Sequence, residues 1–230
     1  MLLYVVIVII IIYVVVHFFY KDSTTLVTMQ PGSEKRVISA SSLANSVSTS
    51  NFTYSLWINV DDWNYRFGEE KVLISRKDGL KNPAPKISLG AIENNLIVDL
   101  ACYPNEKSKD AQQHRCEIKN IPLQTWTHIL VSLYNRTLDM YLNGKLVRTC
   151  VLPGVAKIDP KADVTITPGG GFSGWSSNFH YWNRASNPQQ AFNVYRDGFG
   201  GGRLFGGFFD RYRLRLSFIS DNIEQGSVEI

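Results

Sequence analysis

Short segments in which apolar and polar residues alternate recur through most of this 230-residue chain, and they constrain its fold more than any other feature. In residues 52–60 (FTYSLWINV), every second side chain is aliphatic or aromatic. Successive side chains of a strand point to opposite faces, so this alternation predicts a half-buried β-strand. Further strands are predicted at residues 71–76, 86–92, 95–103, 115–121, 126–134, 137–142, 145–152, 162–168 and 176–185.

Turn signals lie between these segments and predict how they connect. Asn143-Gly144 separates residues 137–142 from 145–152, and this dipeptide accepts the positive φ values of a type I′ turn. Many short strands joined by such turns indicate an all-β antiparallel sandwich or barrel. One short helix interrupts the pattern, because Asn187 can cap it, Pro188 suits its first turn and Gly198 ends it.

The first 20 residues contain no Lys, Arg, Asp or Glu, and as a helix they would extend about 30 Å, the thickness of a bilayer core. A secretory signal peptide would instead need a basic start and a small-residue cleavage site. The favoured interpretation is an uncleaved transmembrane anchor at residues 1–20, followed by a juxtamembrane linker at 21–34. A jelly-roll domain at 35–198 and a Gly/aromatic/Arg-rich arm at 199–230 complete the predicted organisation.

The charge of the chain indicates which partners it can bind, and its cysteine content indicates whether its thiols are reduced. The net charge is +4, without the dense basic face that nucleic-acid binding needs, so no nucleic-acid partner is expected. An odd cysteine count without repeated spacing favours reduced, buried thiols, with pairing of Cys102 and Cys116 across a hairpin as the alternative.

The orientation of the predicted anchor follows from the residues beside it. Lys21, Lys35 and Arg36 come after the anchor, which favours a single-pass protein with its domain on the cytosolic side. Two N-glycosylation sequons, at Asn51 and Asn135, argue for the opposite side.

Several motifs occur together in an order that resembles concanavalin A-like jelly rolls of the laminin-G-like group. They are Trp57 in an early strand, Trp126 and His128 in a later one, the hairpin of Tyr141, Asn143 and Gly144, and YWNRAS at residues 181–186. The resemblance covers residues 35–198 and implies two packed antiparallel sheets. It departs from the family at Gln189 and Gln190, where an acidic residue commonly opens the helix.

Catalytic and metal sites are not expected from the residues. Glucanases of the resembled superfamily carry acidic residues at i, i+2 and i+4 of one strand, and no such strand is present. His128 and the rings of residues 179–184 are interpreted as structural. No cofactor is expected, and a calcium ion on loop carboxylates is the alternative, with Asp61, Asp62, Asp159 and Asp163 as its ligands.

An interaction surface is the predicted functional feature. It comprises a loop and the C-terminal arm, with the residues Trp63, Tyr65, Phe67, Arg203, Phe205, Phe208, Phe209, Arg211, Tyr212, Arg213 and Arg215. Residues 210–220 alternate again, either as an edge strand of the same sheet or as an arm that adds to the sheet of a partner.

Three function classes follow from these features. An anchored single jelly roll resembles membrane-anchored minor capsid proteins of large double-stranded DNA viruses, which implies a non-catalytic virion component that links an internal membrane to other capsid proteins. The first alternative is a membrane-tethered lectin that binds carbohydrate outside the cell, and the remote alternative is a glycoside hydrolase.

Overall fold

The computed structural model describes residues 25–27, 29–43, 50–103, 111–200, 215–220 and 223–229. Its strands, in chain order, are β1 (Thr25–Val27), β2 (Gln30–Pro31), β3 (Arg36–Ile38), β4 (Phe52–Asp62), β5 (Lys71–Lys77), β6 (Pro83–Leu89), β7 (Leu96–Tyr103), β8 (Gln112–Ile118), β9 (Thr127–Tyr134), β10 (Thr137–Leu142), β11 (Lys145–Val151), β12 (Val155–Ala156), β13 (Val164–Ile166), β14 (Ser173–Trp182), β15 (Arg215–Ser220) and β16 (Ile223–Glu229). Helix α1 spans Pro188–Arg196, and two 3₁₀ helices span Ala40–Ser42 and Pro168–Gly170.

Two antiparallel seven-stranded sheets form the sandwich. Sheet A has the order β1-β14-β4-β9-β10-β11, with β2 also beside β14, and sheet B has the order β12-β7-β6-β5-β13-β3, with β8 also beside β7. Within the described residues, β15 and β16 pair only with each other. The predicted all-β antiparallel sandwich with one short helix is therefore confirmed.

The inner face of β4 is buried as its alternating sequence predicts, but its outer face is also buried, which the alternation did not indicate. Phe52, Tyr54, Leu56 and Ile58 are buried between the sheets, as the period of two predicts. The opposite face of the same strand is buried as well, and Trp57 is only 5% exposed. Helix α1 and the residues after it cover this outer face of sheet A, and the ring of Tyr195 stacks on that of Trp57 at 5.5 Å.

The start of the domain differs from the prediction. Residues 21–34 were expected to be a linker, but β1 and β2 lie within this range and pair with β14. These strands contain only three and two residues, too few for an alternating pattern to be recognised. The predicted anchor at residues 1–20 lies outside the described residues, and none of the helices inside them is long and apolar enough to cross a bilayer.

The cysteines correct the prediction of reduced thiols. Cys116 of β8 and Cys150 of β11 form a disulfide, which joins an edge strand of sheet B to an edge strand of sheet A. Cys102 lies opposite Gln112 in the β7–β8 register, so it does not face Cys116, and it remains a free buried thiol. Burial raises the pKa of the Cys102 thiol to about 11, which keeps it protonated and unreactive.

The Asn143-Gly144 turn connects β10 and β11 as predicted. Both residues have positive φ, at 50° and 74°, as a type I′ turn requires. The turn also packs under α1, because a Cβ on Gly144 would lie 2.9 Å from the Cβ of Tyr195 and 3.1 Å from the Cα of Phe192.

Gly144→Ala is therefore expected to lower the free energy of unfolding by about 1–2 kcal/mol, since it combines an unfavourable φ with a close contact. Gly68→Ala is the matched control, because Gly68 also has a positive φ, of 82°, but nothing lies within 4 Å of its added Cβ. Denaturant titration of both variants checks the difference, and equal stabilities would contradict the packing of the turn against α1.

Candidate interaction surface at one end of the sandwich

The two ends of sheet A differ in what they carry. At one end Thr53 pairs with Trp182, and β1 joins β14 nearby, so we name this the entry end. At the other end Asp62 pairs with Ser173 and the chain continues into the loop of residues 63–70, so we name this the loop end. The 10 residues of β14 separate the two ends by about 30 Å.

Three loops are fastened together at the loop end. The Trp63 Nε1 donates to the carbonyl of Ile92 at 2.9 Å, and the Gly68 N–H donates to the carbonyl of Ala91 at 2.9 Å. The Tyr65 hydroxyl donates to the carbonyl of Gly170 at 3.2 Å. These bonds attach the loop of residues 63–70 both to the β6–β7 turn of sheet B and to the 3₁₀ helix before β14.

The cations of this end are used internally. The Arg66 guanidinium forms an ion pair with Glu69 at 2.6 Å and donates to the carbonyl of Gly171 at 3.2 Å. Lys71 is buried, with its Nζ 4.5 Å from the ring centroid of Trp63, and burial lowers the pKa of its ammonium group. Exposed carboxylates remain beside these loops, together with the exposed Lys119, which precedes the residues that bond to the β6–β7 turn.

Three large apolar side chains are exposed at the loop end, and we name them the apolar tip. They are Tyr65, Phe67 and Ile92, with exposed fractions of 37%, 56% and 65%. Trp63 was expected to be exposed with them but is half-buried and packs against the core. Ile92 was missed because it fell at the end of the predicted strand 86–92, whereas β6 ends at Leu89 and leaves Ile92 in a turn.

The C-terminal arm begins close to this end. The Phe199 ring stacks on Trp126 at 4.4 Å between ring centroids, and the Phe199 carbonyl accepts a hydrogen bond from Ser177 Oγ at 2.6 Å. Trp126 directly precedes β9, whose first residue pairs with Ile58 in the loop-end half of β4. The predicted arm residues Arg203, Phe205, Phe208, Phe209, Arg211, Tyr212 and Arg213 lie outside the described residues, and Arg215 begins β15.

The histidines and rings of the core strands have the structural role that the sequence indicated. Phe179 and Tyr181 point into the core, and His180 stacks on Trp182 at 5.2 Å. His128 is fully buried, and its Nε2 shares a hydrogen bond with Ser55 Oγ at 2.8 Å. Burial lowers the pKa of His128 to about 3, so this imidazole is neutral near pH 7.

Asp99, which looked solitary in the sequence, lies in a ladder of charges across the outer face of sheet B. Arg115 donates to its two oxygens at 2.8 and 3.0 Å, and Lys86 bridges Asp99 at 3.0 Å and Glu70 at 2.8 Å. Burial raises the pKa of Asp99, but the hydrogen bonds from Arg115 and Lys86 outweigh it and lower that pKa. The two carboxylates are thus held by basic partners, which suits a structural role rather than proton transfer.

The loop carboxylates considered for calcium accept hydrogen bonds from nearby backbone. Asp62 accepts from Asn64 at 2.9 Å, Asp159 accepts from Lys161 at 2.9 Å, and Asp163 accepts from Ala40 at 2.8 Å. No group of three His, Cys, Asp or Glu side chains suited to a metal ion occurs in the described part of the chain. The calcium alternative stays a prediction.

Comparison with known proteins agrees with this fold. Residues 32–192 match the concanavalin A-like lectin/glucanases superfamily, and the chain belongs to it. The structure is similar to the binding domain of botulinum neurotoxin serotype G (15% identity, TM-score 0.53, 76% of this chain and 47% of that chain). It is also similar to the receptor binding domain of botulinum neurotoxin D (14% identity, TM-score 0.55, 74% of this chain and 42% of that chain).

These identities show the fold alone, and this chain spans less than half of either neurotoxin domain. No curated protein sequence matches the chain. The superfamily includes both lectins and glucanases with one fold, so the fold does not decide the function of this chain.

Proposed function

We propose that this chain is a non-catalytic, membrane-anchored jelly-roll protein that binds a protein partner through its loop end. One observation carries the proposal. The chain enters sheet A at the entry end, whereas the apolar tip and the start of the C-terminal arm belong to the opposite half of the sandwich.

This polarity matters because of what precedes β1. The apolar stretch of residues 1–20 is separated from Thr25 by only four residues, which can span at most about 14 Å. If residues 1–20 cross a bilayer, the entry end is held close to the lipid surface and the loop end lies about 30 Å further out. The protein would then present its exposed apolar side chains away from the membrane.

The chemistry of the loop end favours a protein partner over a sugar. Carbohydrate recognition needs hydrogen-bonding groups around an exposed ring. Here Trp63, Tyr65 and Arg66 donate their hydrogen bonds to backbone carbonyls of neighbouring loops, so a sugar would depend on the exposed carboxylates Asp61, Asp62 and Glu93 beside the rings. The apolar tip also includes the aliphatic Ile92, which suits protein contacts. The sequence resemblance supports a protein shell as the partner, with this chain as a minor capsid component.

A catalytic role finds no support among the described carboxylates. Glu70 and Asp99 are both engaged by Lys86, and Asp99 also by Arg115, so neither is available as a nucleophile or acid.

The side of the membrane is proposed on charge alone. The disulfide between Cys116 and Cys150 replaces the argument from unpaired cysteines with one against the cytosolic side, because such bonds persist mainly in oxidising environments. The cytosol-facing orientation therefore rests on Lys21, Lys35 and Arg36.

A lipid-quenching experiment tests the polarity. The full chain is reconstituted in vesicles that contain a lipid with a quenching headgroup, with a fluorescent amino acid placed at either Phe67 or Leu80. Leu80 is 76% exposed and follows β5 at the end opposite Lys71, so it serves as the entry-end probe. We expect strong quenching at position 80 and little at position 67. Equal quenching, or flotation with vesicles after deletion of residues 1–20, would overturn the proposal.

Cross-linking in native particles tests the partner. A photoreactive amino acid at Phe67 is expected to form an adduct with a protein, either a shell protein or a second copy of this chain, while the same group at Leu80 is not. A saccharide adduct at Phe67 would support the lectin instead, and equal adducts from both positions would remove the role of the loop end.

A further inference from the structure

We propose that residues 201–214 of the C-terminal arm of one copy bind the apolar tip of a second copy. The contact would join neighbouring copies laterally. It rests on the proposed role of the loop end in protein binding and names a second copy of this chain as an occupant of the apolar tip.

The surroundings of the apolar tip define the chemistry of its occupant. Beside Tyr65, Phe67 and Ile92 lie three exposed carboxylates, and we name them the acidic rim: Asp61, Asp62 and Glu93. Arg66 is paired with Glu69 and Lys71 is buried against Trp63, so the exposed Lys119 beside the β6–β7 turn is set against these three carboxylates and the rim is negative on balance. An apolar surface beside a net negative charge favours an occupant that is aromatic and basic.

The arm of this chain has that composition. Residues 201–214 carry four aromatic residues, three arginines and one acidic residue: Phe205, Phe208, Phe209, Tyr212, Arg203, Arg211, Arg213 and Asp210. Arginine binds carboxylates through two parallel hydrogen bonds, and aromatic side chains with arginine are enriched in the centres of protein interfaces. The arm thus complements both the apolar tip and the acidic rim.

The point where the arm leaves the domain allows it to reach a neighbour. Phe199 lies on the outer face of sheet A, where it contacts Trp57 and Trp126. Ile92 lies in the β6–β7 turn of sheet B, on the other layer of the sandwich. The start of the arm and Ile92 of the apolar tip therefore lie on different layers of one copy but at the same end of the sandwich. Copies that stand side by side with parallel axes would bring the arm of one to the tip of the next.

Such a contact is heterologous, since each copy offers one arm and one tip and the two surfaces differ. Repetition of the contact forms a ring or an open row of copies rather than a two-fold dimer. On a membrane, this arrangement would space the copies regularly.

Sedimentation of the full chain in detergent micelles tests the contact. The tip variant is Phe67→Ser with Ile92→Ser, and the arm variant is Arg211→Glu with Arg213→Glu. Each is expected to weaken self-association at least about tenfold, the effect of losing one central interface contact. The control is Leu80→Ser, which removes an equally exposed apolar side chain at the opposite end and should leave association unchanged. The anchor is identical in all chains, so differences report the contact between arm and tip.

A mixing experiment separates a contact between copies from a contact within one copy. The arm variant keeps an intact tip and the tip variant keeps an intact arm, so their mixture is expected to form a complex although neither associates alone. A mixture that stays monomeric would overturn the proposal, as would a wild-type chain that is monomeric at every concentration.

Charge exchange checks the acidic rim. Asp61→Arg with Glu93→Arg should weaken association of the wild-type arm and restore association of the arm variant. Unfolding curves of every variant confirm that the domain is folded, and weakening without restoration by the exchanged charges would contradict the ion pairing. Failure of these tests would leave the lipid-quenching result unaffected, because that experiment does not depend on self-association.

Discussion

Removal of the Cys116–Cys150 disulfide is expected to lower the free energy of unfolding by about 4 kcal/mol. The bond closes a loop with a sequence separation of 34, and the chain-entropy cost of such a loop in the unfolded state gives this magnitude. The location adds to the effect, because β8 and β11 are edge strands of different sheets and few other contacts join them. Without the bond, the two sheets can separate along this side.

The measurement compares three chains by denaturant titration. Cys116→Ala with Cys150→Ala should show the full loss, and the wild type with a reductant should approach the same value. Cys102→Ala is the control, because this variant keeps the disulfide and its free energy of unfolding should still fall when a reductant is added. Thiol titration of the unreduced, denatured wild type should find one free thiol; three would show that the disulfide does not form.

The alternating pattern predicted most of the strands because burial between two sheets imposes the same period of two that the sequence shows. Residues 137–142 are predicted and observed as β10 without any shift. The same reasoning failed for β1 and β2, where pairing with β14 rather than an amphipathic pattern stabilises the strand. The formation of very short strands depends on pairing with neighbouring strands, and the sequence of the short strand alone does not show that pairing.

The disulfide was missed for a related reason. Cys116 and Cys150 are brought together by the stacking of sheet A on sheet B, and neither their separation nor their flanking residues indicates this. Asp99 is a parallel case, because its partners Lys86 and Arg115 lie on the two strands that flank β7. Cross-strand partners become visible only when register is known.

The exposure of the residues in the proposed interaction surface was predicted in part. Tyr65 and Phe67 are exposed as expected, since they occupy a loop that contributes nothing to either sheet. Trp63 differs because its indole bonds to the neighbouring turn and covers Lys71, and Ile92 joins the surface because β6 ends three residues earlier. Composition identified the loop, but contacts between loops decided which rings face the solvent.

Acid is expected to destabilise the domain through His128 before its carboxylates are protonated. Burial lowers the pKa of this imidazole from 6.5 to about 3, so the unfolded state binds a proton more readily than the folded state at intermediate pH. The stability is therefore complete above pH 6.5 and declines as the pH falls towards 3. The expected loss is about 2 kcal/mol at pH 5 and about 3 kcal/mol at pH 4.

The environment of the ring explains why protonation is so unfavourable. One imidazole nitrogen bonds to Ser55 at 2.8 Å, while Nδ1 is buried without a hydrogen-bond partner, so an added N–H would have no acceptor. The ring is also enclosed by Trp57 at 5.0 Å and Tyr195 at 6.1 Å between centroids. Protonation would place a charge beneath α1, which covers this face of sheet A.

The test follows the free energy of unfolding between pH 7.5 and pH 5 in the wild type and in His128→Gln. The variant keeps a polar group near Ser55 but does not titrate, so its stability should change by about 2 kcal/mol less than that of the wild type over this range. Raising the ionic strength should leave the difference nearly unchanged, since burial is its main cause and salt screens only exposed charges. Parallel curves for the two chains would show that His128 is not the group whose protonation weakens the fold.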